Sequence, residues 1–295
     1  MNAQASAGPY LAAKLQALDA RLREVAPRVL SSSGGASAVH DLRVALRRTR
    51  TVLEVSRSIF GRFRADEVRA LLRDVQQATG TLRDEEVLLE LVGSLPVSNP
   101  GVQAWLKTRR GRERRLRRVL ARSIEVGDLD RGRRLLDALL AFRVEPSRER
   151  RLAKFARRAA VSARRRVERR RIARVDNPRA LHRLRIAYKR LRYVVETFAD
   201  VLPSDALVLA QAAARLQNRL GRIHDVDVAL GCVRRARALS PEARAELLSE
   251  LQRVREECVA AYARETAPLA YTVHRHLRHD SYELGAEALR KSSTR

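Results

Sequence analysis

Aromatic side chains are scarce in this sequence. Phe, Trp and Tyr together make up 4% of 295 residues. Proteins that hold single-stranded nucleic acid stack bases on aromatic rings, so this shortage argues against that class. Cysteine is scarcer still. Cys232 and Cys258 form neither a disulfide framework nor a metal-ligand spacing, and a reducing compartment fits them. No uncharged run approaches the roughly 20 residues that cross a bilayer, which removes a membrane-spanning role. The N-terminus, MNAQASAGPYLAAKLQALDARL, has no basic segment followed by an apolar one, so no signal peptide is read there and the cytoplasm is the expected location. Alternation of apolar and polar residues is absent over any useful length, which excludes a sheet protein.

What is present is positive charge. Lys and Arg number 61 against 34 Asp and Glu, a net charge of +27. A surface this basic attracts and retains anions, and nucleic acid, an anionic membrane and polyphosphate all qualify at this level. Nearly all of the cations are arginine, whose planar fork matches phosphate oxygens two at a time. Arginine-rich codon usage would give the same bias, so the ratio alone decides little. Hydrophobic residues reach 45%, enough for a real core, which sets the chain apart from a disordered basic tail.

Leucine, alanine, arginine and glutamate recur with apolar spacings of three and four, which predicts an all-α fold. The predicted breaks are short: SSSGGAS at 31–37, Phe60-Gly61-Arg62, LPVSNPG at 95–101, VEPS at 144–147, VDNP at 175–178, LPSD at 202–205 and LSPE at 239–242. An internal match stands out among the helices. VHDLRVALRRTRTVLEVS (39–56) aligns without gaps to LHRLRIAYKRLRYVVETF (181–198), pairing His40 with His182, Arg43 with Arg185, Arg48 with Arg190 and Arg50 with Arg192. Arg47 and Lys189 keep the charge. GTLRDEEVLL (80–89) then aligns with GRIHDVDVAL (221–230), pairing Asp84 with Asp225 in the same order and at nearly the same offset. The expectation is one domain over residues 8–285, made of two duplicated halves, about 8–145 and 146–285, each with about four helices, and a tail at 286–295. Such copies usually pack about a pseudo-twofold axis.

On a helical wheel His40, Arg43, Arg47, Arg50 and Glu54 fall within roughly 80° of one another. Leu42, Ala45, Leu46, Thr49, Val52 and Leu53 take the opposite side. The second copy does the same, with His182, Arg185, Lys189, Arg192 and Glu196 as its stripe. From His40 to Arg50 the stripe runs about 15 Å. A compact anion needs a pocket with backbone donors. A line of cations suits a ligand with charge repeated along its length. A solvated face in so basic a protein would also be positive, yet nothing about solvation makes two such faces match step for step. For the histidines two roles stay open: a neutral imidazole on a phosphate oxygen, or a structural ring held by Asp84 or Asp225. Neither histidine has a second His, Cys or carboxylate at metal-ligand spacing on its own helix, so no metal and no cofactor are expected. The aspartates are expected to orient an arginine or histidine of the stripe from behind.

The paired pattern H-x-x-R-x-x-x-[RK]-R-x-R, each copy followed by G-x-x-[RH]-D-x-x-V, resembles the CHAD family (conserved histidine α-helical domain). The resemblance runs from about residue 8 to about 285. It implies two four-helix-bundle-like halves about a pseudo-twofold axis, with a basic groove between them that binds inorganic polyphosphate. Carried to this sequence, the groove residues are His40, Arg43, Arg47 and Arg50 with His182, Arg185, Lys189 and Arg192. Arg48 and Arg190 match the motif but lie off the main stripe. The family is often joined to a CYTH-type triphosphate-processing domain, and the CHAD-like part fills this chain, so binding without catalysis is expected. The first copy has Arg83-Asp84 where the second has His224-Asp225, so the cation of that pair varies. A non-specific nucleic-acid-binding protein is the alternative; it would need no recognition helix. An enzyme acting on the polyanion would need a metal site or an acid–base pair, and neither is evident. Two denser runs, RRGRERRLRR (109–118) and RRRVERRR (164–171), read as solvated helix faces with local Arg–Glu pairs. HRHLRH (274–279) reads as surface.

Overall fold

The computed structural model describes residues 5–31, 35–142, 144, 148–171 and 176–266. Among them are ten α-helices: α1 (Ala7–Leu30), α2 (Gly35–Val55), α3 (Arg57–Phe60), α4 (Arg62–Gly93), α5 (Pro100–Glu125), α6 (Asp128–Ala141), α7 (Leu152–Glu168), α8 (Pro178–Thr197), α9 (Ser204–Arg234) and α10 (Pro241–Thr266). Extended pairing among the described residues is limited to one antiparallel bridge between Ser6 and Arg151. There Ala7 N–H donates to the Arg150 carbonyl and Leu152 N–H to the Ala5 carbonyl, both at 2.8 Å, so the starts of α1 and α7 lie side by side.

The helix ends follow local chemistry. Asn99 caps α5 by accepting from Gly101 N–H at 2.9 Å, and Pro100 fills the first turn, where its missing N–H costs nothing. Asn177 with Pro178 repeats the device at the start of α8. Gly61 separates α3 from α4 at a φ of 91°, a left-handed value that glycine adopts without a Cβ penalty. Two breaks have no counterpart among the predicted ones, and the first is Ser56, between α2 and α3. Gly127, at a φ of 84°, ends the line of α5 and starts α6. The first stretch therefore carries six helices rather than about four, counting the single turn of α3. Of the predicted loop at 31–37, only Ser31 and the helical residues from Gly35 onward lie within the described residues, and α2 begins earlier than expected. The HRHLRH run and the tail at 286–295 lie outside the described residues.

The core crosses the sequence halves. One large cluster joins Leu11, Leu15 and Leu22 of α1, Leu42, Leu46 and Leu53 of α2, Leu72 of α4, and Leu184, Leu191 and Phe198 of α8 and its end. A second cluster joins Leu88 and Val92 of α4 and Trp105 and Leu106 of α5 to Leu230 and Val233 of α9 and Leu247 and Leu251 of α10. The predicted apolar face of α2 is the buried one: Leu42, Leu46, Leu53 and Thr49 have no exposed surface. The buried Thr49 hydroxyl donates to the Ala45 carbonyl at 2.9 Å, which satisfies it within the helix. Burial of that face against α1 and α4 turns the cationic face of α2 outward toward α8, which packs against it. No described helix is long and apolar enough to cross a membrane.

Candidate polyanion site

Where α2, α4, α7 and α8 meet there is an open cavity of about 340 Å³. Arg47 and Arg50 enter it from α2, and His182, Lys189 and Arg190 from α8. Arg69 and Gln76 of α4, with Arg166 and Arg170 at the end of α7, complete the ring of polar walls. Among its lining residues Glu54 is the single carboxylate. Ile186 and Tyr193 supply an apolar floor. The two motif helices thus share one cavity, though not every stripe residue reaches it. Arg43 and Arg185 do not wall it; they lie half-buried within electrostatic reach of Lys189 and of each other. His40 is exposed at the first turns of α2.

The cations are held in unusually dry surroundings. Lys189 is only 9% exposed. Its burial, reinforced by Arg185, Arg47 and Arg43, pushes its ammonium down to about 6, so the free amine is the main form at neutral pH. Burial likewise lowers Arg43 to about 10 and depresses Arg185. Arg43 donates to Thr79 Oγ1 at 3.3 Å, and Arg50 donates to Gln76 Oε1 at 2.7 Å. The Nε atoms of Arg50 and Arg185 are buried with no hydrogen-bond partner among the described residues. Buried donors of this kind are costly unless something accepts from them.

The aspartates supply counter-charge. Asp84 acts on Arg43, Arg185 and His182, and Asp225 acts on Arg185 and Lys189. Burial raises the Asp225 carboxyl, against the pull of Arg185 and Arg83. His182 lines the cavity and has a neighbour that neither reading of the sequence named. The partner of the His182 ring is a third histidine. His182 Nδ1 and His224 Nδ1 are 3.3 Å apart, with ring centroids at 4.5 Å. Burial and the neighbouring Arg185 push His224 down to about 3, and burial also lowers His182, so both rings are neutral at pH 7 and one can donate to the other. His224 was absent from the expected site. Its alignment with Arg83 was the available signal, but Arg83 pairs instead with Glu86 at 3.3 Å on its own helix. Among the described residues no group of three or more His, Cys, Asp or Glu is arranged to hold a metal. Both cysteines are free and partly buried.

Arg48 and Arg190, off the stripe, form a clasp. Arg48 of α2 pairs with Glu196 of α8 at 2.9 Å, while Arg190 of α8 pairs with Glu54 of α2. The two pairs are reciprocal. Arg192 shares Glu196 at 2.6 Å, and the guanidinium groups of Arg48 and Arg192 lie 5.9 and 5.7 Å from the centroid of the Tyr193 ring. Of the two dense basic runs, that in α5 carries Arg–Glu pairs, as expected, but with partners mostly on α4: Arg109 with Glu85 at 2.5 Å and Arg117 with Glu86 at 2.7 Å. The run in α7 has its local pair, Arg164 with Glu168 at 3.2 Å, but Arg166 and Arg170 also wall the cavity.

The sequence profile of the CHAD domain family matches residues 10–234. The chain belongs to the CHAD family. Its architecture is shared with solved CHAD structures. The crystal structure of the CHAD domain from the plant Ricinus communis superposes with a TM-score of 0.66 at 21% identity, over 92% of this chain and 91% of that one. PptA from Streptomyces chartreusis superposes with a TM-score of 0.67 at 17% identity, over 88% of this chain and 99% of that one. At these identities the likeness is one of fold. No curated protein matches this CHAD chain.

Proposed function

We propose that this CHAD domain binds inorganic polyphosphate in the cavity between α2 and α8 and performs no chemistry on it. One observation carries the reading. Cations from both motif helices converge on one cavity with a single carboxylate in its wall, and the buried Nε of Arg50 there has no hydrogen-bond partner among the described residues. Dehydrated cations crowded together repel one another, and an anion supplying many oxygens relieves both the repulsion and the unmade hydrogen bonds. The openness of the site suits a chain that passes through it. The absence of bases from polyphosphate fits a wall with almost no aromatic surface. The reciprocal Arg48–Glu196 and Arg190–Glu54 pairs support reading the two halves as copies about a pseudo-twofold axis, since isologous contacts repeat in this crossed manner. The proposed setting is the cytoplasm, in association with polyphosphate granules.

Competition tests the reading. Labelled long-chain polyphosphate bound near physiological salt should resist displacement by duplex DNA. Arg47→Ala/Arg50→Ala should weaken polyphosphate binding by roughly two orders of magnitude or more while circular dichroism stays helical, given about 1.5–3 kcal/mol for each charge-assisted contact. Affinity should also fall steeply with added salt as released counterions lose their advantage. Equal displacement by DNA, with no effect of the substitutions, would assign the binding to bulk charge.

A further inference from the structure

Beyond the motif cavity, two further hollows follow the basic face of α7. The first, about 660 Å³, has Glu54 and Arg190 in its wall, the same two residues that wall the motif cavity, so the Arg190–Glu54 pair stands as a lip between them. Its far side is built by Lys154, Arg158 and Ser162 of α7. The second, about 430 Å³, shares Arg158 and Ser162 with the first and continues to Arg165 and Arg169. Three hollows with shared walls form one continuous path. Along α7 from Lys154 to Arg169 it extends about 22 Å.

Glu54 and Glu149 line the first hollow, but farther along α7 the exposed arginines are uncompensated. Among the described residues Arg157, Arg158, Arg165 and Arg169 have no carboxylate partner, whereas the equally dense run in α5 is tied to Glu85, Glu86 and Glu113. A basic face that merely faced water would gain from interspersed acids, as α5 does. This one instead continues from a cavity in whose wall Glu54 is the single carboxylate among many cations.

We propose that the α7 face is a second stretch of the binding path, so that a long polyphosphate chain leaves the motif cavity over the Arg190–Glu54 lip and lies along α7, while a short one fills the cavity alone. This rests on the polyphosphate reading above. The consequence is selection by chain length: contacts accrue along the path, and only a chain longer than the cavity can make them.

The test compares tripolyphosphate with long-chain polyphosphate on the full protein, for the parent, for Arg158→Ala/Arg165→Ala and for Arg47→Ala. Both α7 residues are outside the core, and circular dichroism checks the fold. The α7 variant should lose roughly tenfold in affinity for the long chain. Its slope of log affinity on log salt should become shallower by about 1.4, and its affinity for tripolyphosphate should be unchanged. Arg47→Ala should weaken both ligands. An α7 variant that binds the long chain as the parent does, or that loses both ligands equally, overturns the proposal while leaving the cavity reading intact. Loss of duplex DNA binding without loss of long-chain binding would make α7 a nucleic-acid face and likewise overturn it. If Arg47→Ala changes neither ligand, the cavity reading falls, and this proposal with it.

Discussion

At the scale of single residues, Lys189 is where burial and function oppose each other most directly. A lysine 9% exposed among arginines is a poor choice for stability and a good one for seizing an anion. Its ammonium lies near 6 in the free protein and near 10.4 in an unfolded chain. The unfolded chain therefore binds more protons between those values, and this residue makes the free protein more stable as pH rises from 6 toward 10. Lys189→Met should remove that slope. It should also raise the melting temperature near pH 7 by about 2–4 °C for each kcal/mol recovered, as thermal melts at pH 6.5 and 9 would read out. Binding has the opposite sign. A bound anion favours the ammonium, so complex formation takes up a proton, and affinity for polyphosphate should increase from pH 8 to 6 in the parent and stay flat in Lys189→Met. His224, near 3, stays neutral through that window, and the comparison with Lys189→Met isolates the lysine's share.

At the scale of elements, much was legible in the sequence, for definite reasons. The apolar and cationic sides of α2 and α8 were readable because helical periodicity separates them, and their core sides are buried as the wheel requires. What the wheel could not give was the neighbour. Arg48 and Arg190 fall between the two sides, and only the crossing of α2 with α8 reveals that each meets a glutamate of the other helix. Partly exposed pairs of this kind contribute about 1 kcal/mol or less each, so their value lies in fixing the relative position of the helices. Arg166 and Arg170 were passed over because they match nothing in the repeat; their place in the cavity wall comes from the packing of α7 on α8. The division between α5 and α6 was missed because a lone glycine in a helical pattern is a weak signal, and here it takes a left-handed φ. A second glycine matters for packing. A Cβ on Gly132 of α6 would lie 2.9 Å from Leu72 Cδ2 of α4. Gly132→Ala should therefore destabilise the fold by about 1–3 kcal/mol, despite alanine's better helix propensity, as urea denaturation would measure.

At the scale of the whole molecule, net charge and fold act together. A charge of +27 favours solubility and fast capture of anions, and it also pushes the chain apart. The carboxylates are placed where this repulsion would be worst. Asp19, buried between α1 and α6, accepts from Arg133 at 2.7 Å and from Arg23 at 2.8 Å, and Glu85 and Glu86 lock α4 to α5. The cavity wall and the α7 face hold far fewer acids, with Glu54 the single carboxylate lining the cavity.

The second apolar cluster ties the end of α4 and the start of α5 to α9 and α10, and so joins segments from opposite ends of the sequence. Cutting the chain in the interhelical region before α7 would give two fragments, each with an unpartnered leucine-rich face where Leu88, Val92, Trp105 and Leu106 meet Leu230, Val233, Leu247 and Leu251. Each fragment alone should precipitate or bind an apolar dye. Produced together they should find each other and co-elute as one folded species by size-exclusion chromatography. That outcome would show the chain to be a single cooperative body whose shared core neither fragment completes alone.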